Sequence, residues 1–116
     1  MSIITHLRSL LASASLLTLA TTALAQPLTL DVYNPGDKAI FPVTSTLISG
    51  EREAILVDAQ FSNREAQELV ERIQASGKTL TTIFISHGDP DFYFGLDTLT
   101  RAFPKAKVLA TPQTIA

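Results

Sequence analysis

Ile83-Phe84-Ile85-Ser86-His87-Gly88-Asp89-Pro90-Asp91-Phe92-Tyr93-Phe94-Gly95 decides how this chain folds and where its chemistry sits. Leu80 to Ile85, almost wholly β-branched or apolar, reads as a buried strand. Turn-forming and titratable residues follow at once, so His87, Asp89 and Asp91 are delivered at a strand's end. Upstream, Ala54-Ile55-Leu56-Val57-Asp58 repeats the arrangement, an apolar run closing on an acid. Between the two runs, Ser62-Asn63-Arg64-Glu65 predicts a capping box, with Ser62 as N-cap and Glu65 reaching back to it. Ala66, Leu69, Val70 and Ile73 then fall on one helical face, and Gly77 stands where a helix C′ residue belongs.

Outward from this unit the pattern continues. Gly95 to Phe103 reads as a short helix, with Leu96, Leu99 and Phe103 on one face and Pro104 as its stop. Lys107 to Ala110 is a further apolar strand. On the other side, Leu28, Leu30 and Val32 alternate with Thr29, Asp31 and Tyr33, the pattern of a half-buried strand. Asn34-Pro35-Gly36-Asp37 is a turn by its residue types. Val43 to Ser49 reads as a second strand, and Gly50-Glu51-Arg52-Glu53 as a tight reversal. An antiparallel meander thus leads into strand–helix–strand–helix–strand, which implies parallel pairing. The fold class is α/β, with a mixed sheet and covering helices. In such sheets ligands bind outside the carboxyl ends of parallel strands, so Asp58, His87, Asp89 and Asp91 are expected to converge there.

The first 25 residues have a different character. Arg8 is their one cation, Ser9 to Leu24 carries no charge, and Ala23-Leu24-Ala25 is a small-x-small site before Gln26. This is the layout of a cleaved secretory signal. A membrane anchor is the competing reading, but Ser and Thr dilute the run and it is short of the ~20 apolar residues of a span. The expected domains are a signal peptide over 1–25 and one small domain over 26–116, periplasmic or secreted and free of the membrane after cleavage. The chain has no Cys, which excludes a lipoprotein anchor and a disulfide framework. Without Arg8, eight Lys and Arg stand against eleven Asp and Glu, a net charge near −3. That mildly acidic balance, without any basic run, argues against nucleic acid as a partner. Thr111-Pro112 is a helix start four residues before Ala116. It is expected to mark a truncated domain, a frayed tail being the alternative.

By residue type alone, the loop after Ile85 has two readings. An imidazole and carboxylates at i, i+2 and i+4 can supply ligands to Zn²⁺ or a harder divalent ion, if alternate side chains point inward. Gly-Asp-Pro-Asp is equally an ordinary turn, with Asp91 free to cap the helix that follows.

The stretch from about Thr46 to Thr114 resembles the N-terminal half of the metallo-β-lactamase-fold hydrolases. Ala54 to Asp58 resembles that family's first motif, an apolar strand ending in Asp. Ile83 to Gly95 resembles its second, His-x-His-x-Asp-His followed by Gly. His87 matches the first His and Asp91 the Asp, while Asp89 and Phe92 stand where the other two His belong. The resemblance implies an αββα sandwich of which this chain holds the N-terminal half. It further implies His87, Asp89 and Asp91 as metal ligands, with Asp91 also catalytic, and Asp58 as an organiser of the loop. Loss of imidazole at Phe92 implies one metal rather than two, with Zn or another divalent ion as cofactor, or a lost site. Phe92, Tyr93 and Phe94 are candidate pocket residues, packing of the loop onto the core being the competing role. The implied function is an exported metal-dependent hydrolase of a small molecule (lactam, lactone, thioester or phosphoester). A non-catalytic binding protein on the same fold is the alternative.

Overall fold

The computed structural model describes residues 22–116, so the proposed leader lies almost wholly outside the described residues. Five strands form one sheet in the order β1-β2-β3-β4-β5. They are β1 (Thr29–Tyr33), β2 (Ser45–Ser49), β3 (Glu53–Val57), β4 (Thr79–Ile85) and β5 (Lys107–Ala110). The first three pair antiparallel and the last two connections are parallel, as the change of pattern after Asp58 predicts. Both reversals expected in the meander form. Asn34 Oδ1 accepts the Gly36 N–H at 2.8 Å, its amide donates to Pro42 O and Thr44 Oγ1, and Gly50 N–H donates to Glu53 O.

Helix α1 (Asn63–Ser76) connects β3 to β4. Ser62 Oγ accepts the Glu65 N–H at 3.3 Å, and Gly77 closes the helix at φ 68°, a left-handed position natural to glycine. The predicted reciprocal half of the capping box does not form. The Glu65 carboxylate is buried and instead accepts from Arg64 Nε and Nη2. Ser62→Ala therefore removes a single cap bond and should cost about 1 kcal/mol, read as a lowered urea midpoint.

The predicted Gly95–Phe103 helix forms as α3 (Leu96–Ala102), and a one-turn α2 (Pro90–Tyr93) precedes it within the stretch expected to be loop. Leu69, Val70 and Ile73 of α1 and Leu99 of α3 bury against Leu47, Leu56, Ile83 and Ile85, so both helices lie on one face of the sheet. A short α4 (Pro112–Ile115) follows β5, with Thr111 Oγ1 accepting the Thr114 N–H.

Strand β1 forms as the expected half-buried strand and turns its aliphatic residues to the opposite face. Leu30 and Val32 are 62% and 59% exposed, while Asp31 and Tyr33 turn toward α1. Arg72 of α1 reaches across, its Nη1 at 3.0 Å from Asp31 Oδ1 and its guanidinium 4.7 Å over the Tyr33 ring. Burial, then the Glu68 and Glu65 carboxylates, raise the Tyr33 phenol above its ordinary pKa. The registers line up two rows across the outer face: Val32–Thr46–Val57–Phe84–Leu109 and Leu30–Ile48–Ile55–Thr82–Lys107. This apolar surface is compatible with a second sheet lying on it, as in a sandwich.

Candidate functional site

Strands β3 and β4 run parallel and end side by side, and Asp58 N–H donates to Phe84 O at that end. Asp58 is buried and left-handed (φ 66°). That conformation turns its carboxylate across to the chain leaving β4. Oδ1 accepts the Ser86 N–H at 2.8 Å, and Oδ2 accepts the Ser86 hydroxyl at 2.6 Å. The residue immediately before His87 is thereby fixed by a charge-assisted pair of bonds.

Two further bonds hold the far end of the loop. Ala59 N–H donates to Phe92 O at 2.8 Å, and Gly95 N–H donates to Gln60 O at 2.9 Å. Gly95 lies so close to the β3–α1 connection that an added Cβ would sit 2.0 Å from Ala59 O. Asp58-Ala59-Gln60 thus grips Ser86-to-Gly95 at its start, middle and end. The family resemblance marks Asp58 as the expected organiser of the loop, whereas nothing in the motifs marks Ser86 or Gln60. A polar Gln between Ala59 and Phe61, directly after a buried strand, was the available signal for the latter.

Within the loop, His87 and Asp89 come together. Asp89 N–H donates to His87 Nδ1 at 3.1 Å, and the Asp89 carboxylate lies 3.5 Å from the same nitrogen. The two side chains are 58% and 68% exposed, and Nε2 carries none of these contacts. Asp91 does not complete a trio. The predicted inward alternation requires extended backbone, whereas Pro90–Tyr93 is a helical turn, in which each residue rotates by about 100°. Asp91 is also not the cap of the following helix, because Gly95 precedes α3 and Asp89 precedes α2.

Among the described residues, no group of three or more His, Cys, Asp or Glu side chains is placed to hold a metal ion. Zn²⁺ in proteins takes three or four protein ligands. His87 and Asp89 alone do not fit that requirement.

The three aromatics take different places, although Tyr93 meets Phe94 edge-on at 5.3 Å between centroids. The Phe92 ring packs on His87 at 5.0 Å between centroids, and Phe92 and Tyr93 also pack against the core. Tyr93 alone of the three lines a concavity of about 390 Å³, which it shares with Gly88, Leu96, Val108 and Ile115. Phe94 is exposed and stacks on Phe61, which meets Phe41 edge-on, at 5.4 and 4.9 Å.

A strand-ending Asp that pins a His-bearing loop, on a sheet that turns from antiparallel to parallel, defines a class. Residues 40–114 match the family model of the metallo-β-lactamase superfamily, and the chain belongs to that superfamily. Over 71 residues it is 35% identical to YobT, an uncharacterized protein of Bacillus subtilis, covering 61% of this chain and 30% of that one. Among solved structures, a metallo-β-lactamase from Hirschia baltica aligns with TM-score 0.57 at 17% identity, over 75% of this chain and 39% of that one. FIM-1 of Pseudomonas aeruginosa, solved in its mono-zinc form, aligns with TM-score 0.56 at 14% identity, over 75% and 38%. The chain thus spans well under half the length of each of these relatives.

Proposed function

We propose that the protein is an exported hydrolase of the metallo-β-lactamase superfamily whose site is built on the His87-to-Gly95 loop. The observation that carries this reading is the pair of bonds from buried Asp58 to Ser86. They hold an exposed imidazole at the carboxyl end of two parallel strands, where ligands of such sheets bind. Left-handed backbone at both Asp58 and Gln60 belongs with the strain that collects at functional sites.

Metal dependence is part of the same proposal. A metal bound there would supply an activated water. Because His87 and Asp89 are too few, any such ion draws further ligands from beyond the set that residues 22–116 bring together. Asp91 enters the proposal through its match to the family's Asp. A small molecule is the proposed substrate, with lactam, lactone, thioester and phosphoester as the classes to assay. Export rests on the pattern of the first 25 residues. No helix of the described residues is long and apolar enough to cross a membrane.

The test is metal analysis and hydrolysis by the protein recovered from the exported fraction, with Gln26 expected as its first residue. About one equivalent of a divalent ion is expected, and His87→Ala should remove both metal and hydrolysis. Less than ~0.2 equivalents, together with inactivity on all four substrate classes, would refute the reading.

One observation favours the second reading, a non-catalytic binding protein. Asp89 and Phe92 occupy positions where the family motif has His, and the Phe92 ring lies on His87. If the Asp89→His, Phe92→His variant is the first to take up metal and hydrolyse, the wild type is the binding protein.

A further inference from the structure

Gln60 is fully buried and left-handed, with φ 67°. L-residues other than Gly, Asn and Asp rarely adopt this region, because Cβ crowds the carbonyl. Its side chain explains how the conformation is kept. Nε2 donates to Val43 O and to Ser45 Oγ, both at 2.8 Å, which uses both amide hydrogens on the entry to β2. Its main-chain oxygen accepts the Gly95 N–H. One residue therefore joins the start of β2 to the end of the His87 loop. Oε1 is buried with no hydrogen-bond partner. An apolar side chain would avoid both that orphaned oxygen and the desolvation of the amide. A residue that is awkward in backbone and in side chain alike is poorly explained by packing.

We propose that Gln60 is a positioning residue, its side-chain amide setting where the His87-to-Gly95 loop sits. The amide anchors Gln60 to Val43 and Ser45, and the anchored main chain aims its carbonyl at Gly95. Ala59, one residue earlier, is held in step and meets Phe92. This arrangement differs from the Asp58 contact, which fixes only the loop's first residue. The inference rests on the reading that this loop is the functional site, although its test does not require activity.

The test uses Gln60→Gly and Gln60→Met in the full chain. Glycine adopts the left-handed conformation without strain but lacks the amide, whereas methionine keeps the length and loses both donations. Two readouts report on the loop: hydrogen exchange at the Gly95 amide relative to Ile83 in the core, and the NMR positions of the His87 ring protons. In both variants the Gly95-to-Ile83 exchange ratio should rise about tenfold, the scale of one lost buried hydrogen bond. The His87 signals should move with it. If Gln60→Gly matches wild type in both readouts, backbone conformation alone matters and the proposal is wrong. It is equally wrong if exchange rises by the same factor at Gly95 and Ile83, since that describes a general loss of stability. Should Gln60→Met fail to fold, Ser45→Ala removes one of the two acceptors and should raise the ratio about threefold, an unchanged ratio again counting against the proposal. Because neither readout needs metal or substrate, a wild-type protein that proves inactive while its Gln60 variants still shift both loop readouts would sink the hydrolase reading and leave this one intact.

Discussion

Gly95→Ala is expected to destabilise the fold by about 3 kcal/mol or more, the upper range for overpacking. The reason is space rather than backbone freedom, since Gly95 has φ −75° and ψ −3°, open to any residue. A Cβ there would meet Ala59 O at 2.0 Å, Ala66 Cβ at 2.9 Å and Gln60 O at 3.1 Å. Two of those atoms are backbone carbonyls, and Gln60 O already accepts the Gly95 N–H. Neither can swing aside as a flexible side chain would. Relief requires the start of α3 to back away from α1, which uncovers Leu99 and breaks the Thr98-to-Asn63 hydrogen bond. Against a total stability of roughly 5–15 kcal/mol for a domain, that is about a fifth to more than half of the folded margin. Gly36→Ala supplies the contrast. Gly36 has φ 60° but nothing within 4 Å of its added Cβ, so only about 1 kcal/mol of conformational strain should appear. Urea denaturation followed by circular dichroism compares the two. Similar midpoints would show that the β3–α1 connection yields, and that the close approach is not what holds α3.

The core unit was legible because several local signals agreed there. The β3 run is apolar from Ala54 to Val57 and the β4 run is almost wholly β-branched or apolar, and Ser62 and Gly77 punctuate the helix between them with side-chain and backbone chemistry that acts locally. Strand β1 is legible as a half-buried strand, but its inward face is not, for a reason of symmetry. Alternation gives the period of a strand but does not say which of its two faces meets the core. Here Arg72, 41 residues further along, draws Asp31 and Tyr33 inward, and no local pattern announces that. Glu65 failed as a capping-box partner by a similar route. Its carboxylate is buried where Arg64, itself bonded to Lys38 O, can reach it, and a charged partner outcompetes a lone backbone N–H.

At the site, the residue types were legible and their convergence was not. Asp58 is expected to organise the loop, and it makes two hydrogen bonds to Ser86 at the loop's start. His87 and Asp89 meet as the spacing allows. Asp91 departs because Pro90 opens a helical turn, Pro being well suited to a first helical position. That local preference replaces the extended loop which i, i+2, i+4 geometry assumes. Phe92, replacing an imidazole of the family motif, packs between His87 and the core, so packing describes it better than a pocket wall.

Asp58→Ala should cost about 3 kcal/mol, and Asp58→Asn only about 1 kcal/mol. Alanine removes both acceptors of Ser86 and places an ordinary Cβ residue at φ 66°, adding about 1 kcal/mol of left-handed strain. Asparagine tolerates that backbone well and keeps one oxygen for the Ser86 N–H at Oδ1. Its amide nitrogen then faces the Ser86 hydroxyl, which can turn to accept. Urea midpoints should therefore rank wild type, Asn, Ala, with the larger gap between the last two. The loop should divide the same variants more sharply. Ser86→Ala leaves its own N–H bonded to Asp58 and deletes only the hydroxyl contact of 2.6 Å, so its stability should resemble that of Asp58→Asn. In both of these single-bond variants the His87 ring signals should stay near wild type, because the main-chain bond that fixes residue 86 survives. In Asp58→Ala that bond is gone and the signals should move and broaden. If they do not, the grip at Ala59 and Gln60 holds the loop without Asp58. The functional weight of the β3–α1 connection would then lie on its second and third residues rather than on its first.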